Sequence, residues 1–389
     1  MRKTYLLLMM VVALVIVFVP VSYANEAPKG GKSMEAIEIN HVPQNYLQAV
    51  SEENRGQFKE VAYPVYNYIN ISRQFVTNQG ISEEEVGRDV VEGDPINKTV
   101  FIYLPPGYDE EDTETKYDVL YLLHGVGGGR YEWPGGSGHS GGNYVIGNIF
   151  DNLIANGEIE PLIVVFPEGR SSHDWTDRSF NPSKTNILGF YYFDYELRHD
   201  LIPFVESNYN TYADINNESA EAIAYNRQHR AIAGLSMGGM QALNLTLNGY
   251  RHDSESFTGT ASNLGNGLVP TVQANGMQDL FAYVGAFSNA PTSSDGKTLG
   301  KGINSSPYKI DLLYITCGDA DGIAMHSYRT AIQGLKAEAQ DNLGAYYQVV
   351  MKRRGHDFSV WNNGAYNFAR LVFDNAQVDE SDTVSITLD

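Results

Sequence analysis

The chain has 389 residues and a formal charge of −20, from 47 acidic against 27 basic side chains. A chain this negative repels phosphate backbones, which excludes broad nucleic-acid binding. Hydrophobic residues at 42% exclude a mainly disordered chain, and a single cysteine, Cys317, excludes an intrachain disulfide or a zinc site made of several thiolates.

Residues 1–24 begin with Arg2 and Lys3, continue as an unbroken apolar run from Leu6 to Val19 and end in Ser22-Tyr23-Ala24. A positive start, an apolar middle and small residues before a cut are the marks of a secretory signal peptide, and the run is short for a span of about 20 residues. The expectation is cleavage after Ala24, a secreted product and no membrane attachment of the mature chain. Residues 25–57 read as a polar lead-in, 58–376 as one catalytic-size domain and 377–389 as a C-terminal tail.

From Phe58 to Phe75 tyrosine, valine and isoleucine alternate with polar residues, and Thr99–Leu104 follows, closed by Pro105-Pro106-Gly107. These predict antiparallel opening strands. Tyr117–Leu123 and Pro161–Phe166 are nearly continuous apolar runs, the pattern of strands buried on both faces. Between them Ile146, Ile149, Phe150, Leu153 and Ile154 mark a helix over Tyr144–Ala155; Leu197, Leu201, Phe204 and Val205 mark another over Phe193–Asn208. Arg230–Ala233 predicts a strand and Met237–Asn248 a helix. Phe281–Gly285, Ile310–Thr316 and Tyr346–Met351 predict three more strands, with a helix over Tyr328–Ala339 between the last two. This alternation means a mostly parallel sheet with helices on both faces, and chemistry in the loops after the strands' carboxyl ends. Asn216–Gln228 and Arg251–Gln278 break the alternation and read as polar surface insertions that overhang the site.

Gly234-Leu235-Ser236-Met237-Gly238 is a G-x-S-x-G motif between a strand and a helix. A turn that sharp strains the serine backbone, requires glycine on both sides and lifts the hydroxyl above the sheet. It also places the Met237 N–H at a helix start, where it can face a developing oxyanion. A nucleophilic serine needs a base and an orienting carboxylate, in the chain order Ser, Asp, His for this topology. His356 follows the last predicted strand, and Cys317-Gly318-Asp319-Ala320-Asp321 follows the one before it, so Asp319 and Asp321 are both in reach. The Asp319–Gly322 stretch lacks the rest of a calcium loop, including its later glutamate. His124-Gly125-Val126-Gly127-Gly128-Gly129 follows the strand ending at Leu123; Val126, with Gly127 next, is the candidate for a second oxyanion N–H, and His124 is read as fixing the loop. No G-K-[ST] follows these glycines, so a phosphate cradle does not fit.

With these residues the chain resembles carbohydrate esterase family 1, which holds feruloyl and acetylxylan esterases. The matching stretches are Tyr121–Gly128, Asp200–Tyr209, His229–Gly239, Phe281–Gly285 and Gly355–Trp361. The resemblance implies an α/β-hydrolase fold with little or no lid, Ser236 as nucleophile, His356 as base and Asp321 as acid, with no metal or organic cofactor. It implies ester hydrolysis through an acyl-enzyme, on acylated plant cell-wall polysaccharide. The feruloyl reading stands beside three others: an acetylxylan esterase, an acyltransferase, and a non-catalytic carbohydrate-binding protein of the same fold. Trp361 is the candidate wall of an acyl pocket, and Trp133 and Trp175 are weaker ones.

Overall fold

The computed structural model describes residues 37–66, 68–69, 95–136, 139–140, 143–181, 184–254, 268–375 and 383–389. All lie in one compact unit, Glu35–Asp389. The signal peptide read in residues 1–24 lies outside the described residues.

The tyrosine and valine alternation makes β1 (Gln57–Tyr66) one-sided: Tyr63 and Val65 are buried while Ala62 and Pro64 face out. It forms one edge of the sheet, where a proline costs no ladder bond, and pairs antiparallel with β2 (Pro95–Leu104). The remaining strands are β3 (Asp118–Leu123), β4 (Leu162–Phe166), β5 (Arg230–Leu235), β6 (Tyr283–Phe287), β7 (Ile310–Gly318), β8 (Leu343–Met351) and β9 (Thr383–Leu388). Their order is β1-β2-β4-β3-β5-β6-β7-β8-β9, antiparallel only where β2 meets β1 and β4. The expected mostly parallel α/β sheet with antiparallel opening strands is what is found.

Alternate residues of each central strand enter different layers. Val119, Tyr121 and Leu123 of β3 join one core, and Leu120 and Leu122 join the other. The helices used below are α1 (Glu132–Gly135), α2 (Val145–Ala155), α3 (Ala220–Arg227), α4 (Met237–Thr246), α5 (Met325–Ile332) and α6 (Phe358–Leu371). α4 and α5 cover the first face, and α2 and α6 the second. Each fully buried aliphatic or aromatic side chain contributes roughly 1.5–3 kcal/mol, so the strand ends that carry the loops are firmly held.

Four segments differ from the sequence reading. Residues 383–388 of the tail are β9, whose Leu388 carbonyl accepts the Lys352 N–H at 2.7 Å; the period-two, β-branched Thr-Val-Ser-Ile-Thr-Leu suits a strand. The described part of the lead-in is docked, since the Asn367 and Asn363 side chains accept the Asn40 and Val42 N–H groups. The helix expected over Phe193–Asn208 contains a π turn at Leu197–Leu201, and Pro203 has no N–H to give it. The one expected over Tyr328–Ala339 breaks at Gly334, whose φ of 76° is left-handed.

The insertion at 216–228 does not overhang the site. It holds α3, which feeds the amino end of β5, and Arg227 and His229 pair with Asp311 and Asp118 at the amino ends of β7 and β3. Chain connectivity alone puts it at the amino ends of the strands, away from the carboxyl ends that carry Ser236. The described part of the insertion at 251–278 includes strands Tyr250–Ser254 and Leu268–Gln273, paired antiparallel. There Arg251 is fully buried and forms a double hydrogen bond with Asp194, at 2.8 Å to each oxygen.

Candidate active site

Between β5 and α4 the backbone of Ser236 takes φ 52° and ψ −114°, a state that costs a non-glycine residue about 1–3 kcal/mol. The turn closes because its flanks carry no side chain. A Cβ on Gly234 would lie 2.5 Å from the Gly238 carbonyl carbon, and one on Gly238 2.6 Å from the Leu123 oxygen. Hydrogen bonds hold the strained residue: its N–H donates to Phe287 at 2.9 Å, and its carbonyl accepts from Met240 and Ala290. The hydroxyl is thus fixed at the carboxyl end of β5, with the residue 8% exposed.

His356 reaches Ser236 from the loop between β8 and α6. Its Nε2 lies 3.0 Å from Ser236 Oγ, and its Nδ1 lies 2.8 Å from Asp321 Oδ2. A carboxylate only accepts, so Nδ1 carries the proton and Nε2 is free to accept the serine O–H. Asp321 follows β7 and is 2% exposed. Its other oxygen accepts the Ile323 and Ala324 N–H groups at 2.9 and 2.8 Å. Burial alone would raise this carboxyl; the hydrogen bonds from His356 and Ala324 outweigh it and hold it at about 2. Asp319 is exposed and engaged elsewhere, accepting the Arg353 N–H at 2.6 Å. The geometry therefore selects Asp321 over Asp319. Behind it the buried Cys317 thiol donates to Asp321 Oδ2 at 3.7 Å, and burial pushes that thiol up to about 12.

The loop after β3 lies against the serine: a Cβ on Gly125 would be 3.3 Å from Ser236 Cβ. Among the described residues the N–H groups of Val126 and Met237 have no protein acceptor, so both expected oxyanion donors are unspent. His124 is buried, its ring nitrogens facing the Gly125 and Glu168 carbonyls. Burial and the nearby Arg170 guanidinium drive it down to about 4, while the two carbonyls pull the other way.

Trp361 is brought to the site, but beneath it. Its ring meets the His356 imidazole edge-on at 5.1 Å and 87°, and it is only 7% exposed. It packs under His356 rather than lining an open pocket, because α6 turns it into the core beside Phe358. Trp133 is buried too and donates its indole N–H to Leu123 at 2.9 Å, pinning α1 to the end of β3. Trp175 stands over the buried Lys98 ammonium at 5.7 Å.

Two residues that the sequence reading passed over grip the loop after β3. Arg170 Nη2 donates to the Val126 and Gly128 carbonyls at 2.7 and 2.8 Å. Glu132 Oε2 accepts the Gly125 N–H at 2.6 Å. Arg170 was findable, since it follows a doubly buried strand at its carboxyl end. Glu132 carries no motif. Among the described residues no group of three or more His, Cys, Asp or Glu could hold a metal ion, and no helix is long and apolar enough to cross a membrane.

Residues 96–259 match an esterase family model, described as "Putative esterase". Over 143 residues the chain is 39% identical to endo-1,4-beta-xylanase Y of Acetivibrio thermocellus, covering 37% of this chain and 11% of that protein. Over 281 residues it is 27% identical to an endo-1,4-beta-xylanase/feruloyl esterase of Xylanibacter ruminicola, covering 71% of this chain and 29% of that protein. The chain thus matches well under two thirds of the length of either relative. Two solved structures share the fold. One is the feruloyl esterase module from Clostridium thermocellum complexed with sinapinate, with TM-score 0.56 and 22% identity over 89% of this chain and 97% of that one. The other is a CE1 ferulic acid esterase from Anaeromyces mucronatus, with TM-score 0.57 and 18% identity over 88% and 99%. The fold is the α/β-hydrolase fold that these esterase structures share, and the family match is to the esterase model over residues 96–259.

Proposed function

We propose that this chain, whose residues 96–259 match the esterase family model and which has the α/β-hydrolase fold, is a secreted serine esterase. Its substrates are feruloyl and related cinnamoyl esters on plant cell-wall polysaccharide such as xylan. The observation that carries the reading is the hydrogen-bonded row from Ser236 through His356 to Asp321; the unspent N–H groups of Met237 and Val126 agree with it. Secretion rests on the pattern of residues 1–24. The substrate class rests on relatives named as xylanase and feruloyl esterase.

In this mechanism Ser236 Oγ attacks the ester carbonyl while His356 Nε2 takes its proton. Asp321 keeps the proton on Nδ1 and stabilises the imidazolium that forms. The Met237 and Val126 N–H groups hold the negative oxygen of the tetrahedral intermediate. As that intermediate collapses, His356 returns the proton to the departing sugar oxygen, leaving an acyl group on Ser236. Water, deprotonated by His356, then attacks the acyl carbonyl and releases the acid.

The test is release of ferulate from methyl ferulate and feruloylated xylan, beside acetate from acetylated xylan. Ser236→Ala should lower kcat/KM by about 10³-fold or more with its melting temperature nearly unchanged. Turnover at the wild-type level in that variant would sink the mechanism. Acetate release outpacing ferulate release would move the substrate to acetylxylan, and transfer to a sugar outrunning hydrolysis would make it an acyltransferase. Failure of a fluorophosphonate to label Ser236 would leave a binding protein.

A further inference from the structure

The turn that brings Val126 to Ser236 is almost pure glycine, and glycine resists no motion of its own. Gly128 N–H donates to the Gly125 carbonyl at 3.2 Å, which closes a four-residue turn with Val126 and Gly127 at its tip. One such bond does not fix the direction of the N–H groups at the tip. The direction is set by side chains from outside the turn. Arg170 holds the Val126 and Gly128 carbonyls. Glu132 accepts the Gly125 N–H. The space between turn and carboxylate is fully used, since a Cβ on Gly128 would lie 1.9 Å from Glu132 Oε2. Glu132 in turn is anchored by its own backbone, its N–H donating to Gly129 at 2.8 Å and its carbonyl accepting from Gly136. Gly125 itself abuts Leu235 and Ser236, so a shift of the turn is a shift of the Val126 N–H relative to the nucleophile.

We propose that Glu132 is a positioning residue of the oxyanion hole: by accepting the Gly125 N–H it aims the Val126 N–H at the carbonyl oxygen of the acyl group that Ser236 attacks. The role rests on the serine-esterase reading above. It needs an acceptor oxygen and not a negative charge. Glutamine at 132 offers the same oxygen, and alanine offers none.

The experiment measures kcat and KM on methyl ferulate, and the rate at which a fluorophosphonate labels Ser236, in wild type, Glu132→Ala, Glu132→Gln and Gly128→Ala. The phosphonate oxygen occupies the oxyanion position, so labelling reads the hole without reference to the acyl group. Glu132→Ala should lose about 10- to 100-fold in kcat and in labelling rate with KM within about threefold. Glu132→Gln should recover to within about fivefold of wild type. Gly128→Ala should resemble Glu132→Ala, because its Cβ expels the carboxylate, and the two changes together should cost little more than either. The proposal is overturned if Glu132→Ala labels at the wild-type rate, if Glu132→Gln is as impaired as Glu132→Ala, or if the two changes multiply in full. A wild-type protein that labels but leaves methyl ferulate intact overturns the substrate reading alone, and the labelling rates still decide on Glu132.

Discussion

Asp319 and Asp321 are indistinguishable by type and nearly so by position, yet their surroundings give them different work. Asp321 spends one oxygen on two N–H groups and the other on His356. Asp319 ties down the Arg353 N–H. Asp321→Asn should therefore lower kcat by about 10³- to 10⁴-fold, because an amide can turn its NH2 toward Nδ1 and favour the wrong tautomer. Asp319→Asn should keep kcat and lose about 1 kcal/mol of stability at most. A pH series separates them further. The folded-state pKa of Asp321 is depressed to about 2, so its contribution is fully present above the ordinary carboxyl value and fades as pH falls through about 2. The melting-temperature gap between wild type and Asp321→Asn should be wide at pH 6 and close between about pH 4 and 2; a gap independent of pH would contradict this. Residue type and order pointed to Ser236 and His356 in the sequence, and the family resemblance pointed to Asp321. The residues taken alone left both aspartates open and passed over Glu132, because those assignments depend on where N–H groups point.

The decisive element is the turn from β5 into α4. Gly234→Ala should cost about 3 kcal/mol or more, because the added Cβ meets Gly238 backbone that cannot step aside; chemical denaturation measures it, and a stable, active variant would mean that the turn is looser than described. Elements of this kind were legible because the pattern is local: buried strands read as continuous apolar runs, and the strand–turn–helix around Ser236 shows in five letters. What failed was also local. Gly334 ends a helix that its apolar spacing would have continued. Trp361 sits at a helical position whose inward face was not visible until α6 was docked; it is largely buried and meets the imidazole edge-on.

At the scale of the whole molecule, contacts between distant segments decide the form. The Arg251–Asp194 pair joins the inserted strands to the helical run before α3 with both side chains essentially dry. Arg251→Met should destabilise the protein by about 3–5 kcal/mol by leaving a buried carboxylate alone, and Arg251→Met with Asp194→Leu should regain most of it. Thermal melts of the three variants check this, and equal losses in all would show that packing and not charge is at stake. No reading of composition could foresee that pair, nor that the last residues of the chain would complete the sheet as β9, since both depend on partners far away in sequence. The chain's single thiol, Cys317, is useful in this respect. Shut inside the end of β7 and barely ionised at neutral pH, it has almost no encounter with an alkylating reagent while that strand end stays closed. Its rate of alkylation is therefore an intrinsic clock for how often the floor beneath the acid breathes, readable in the wild-type chain with no label engineered in.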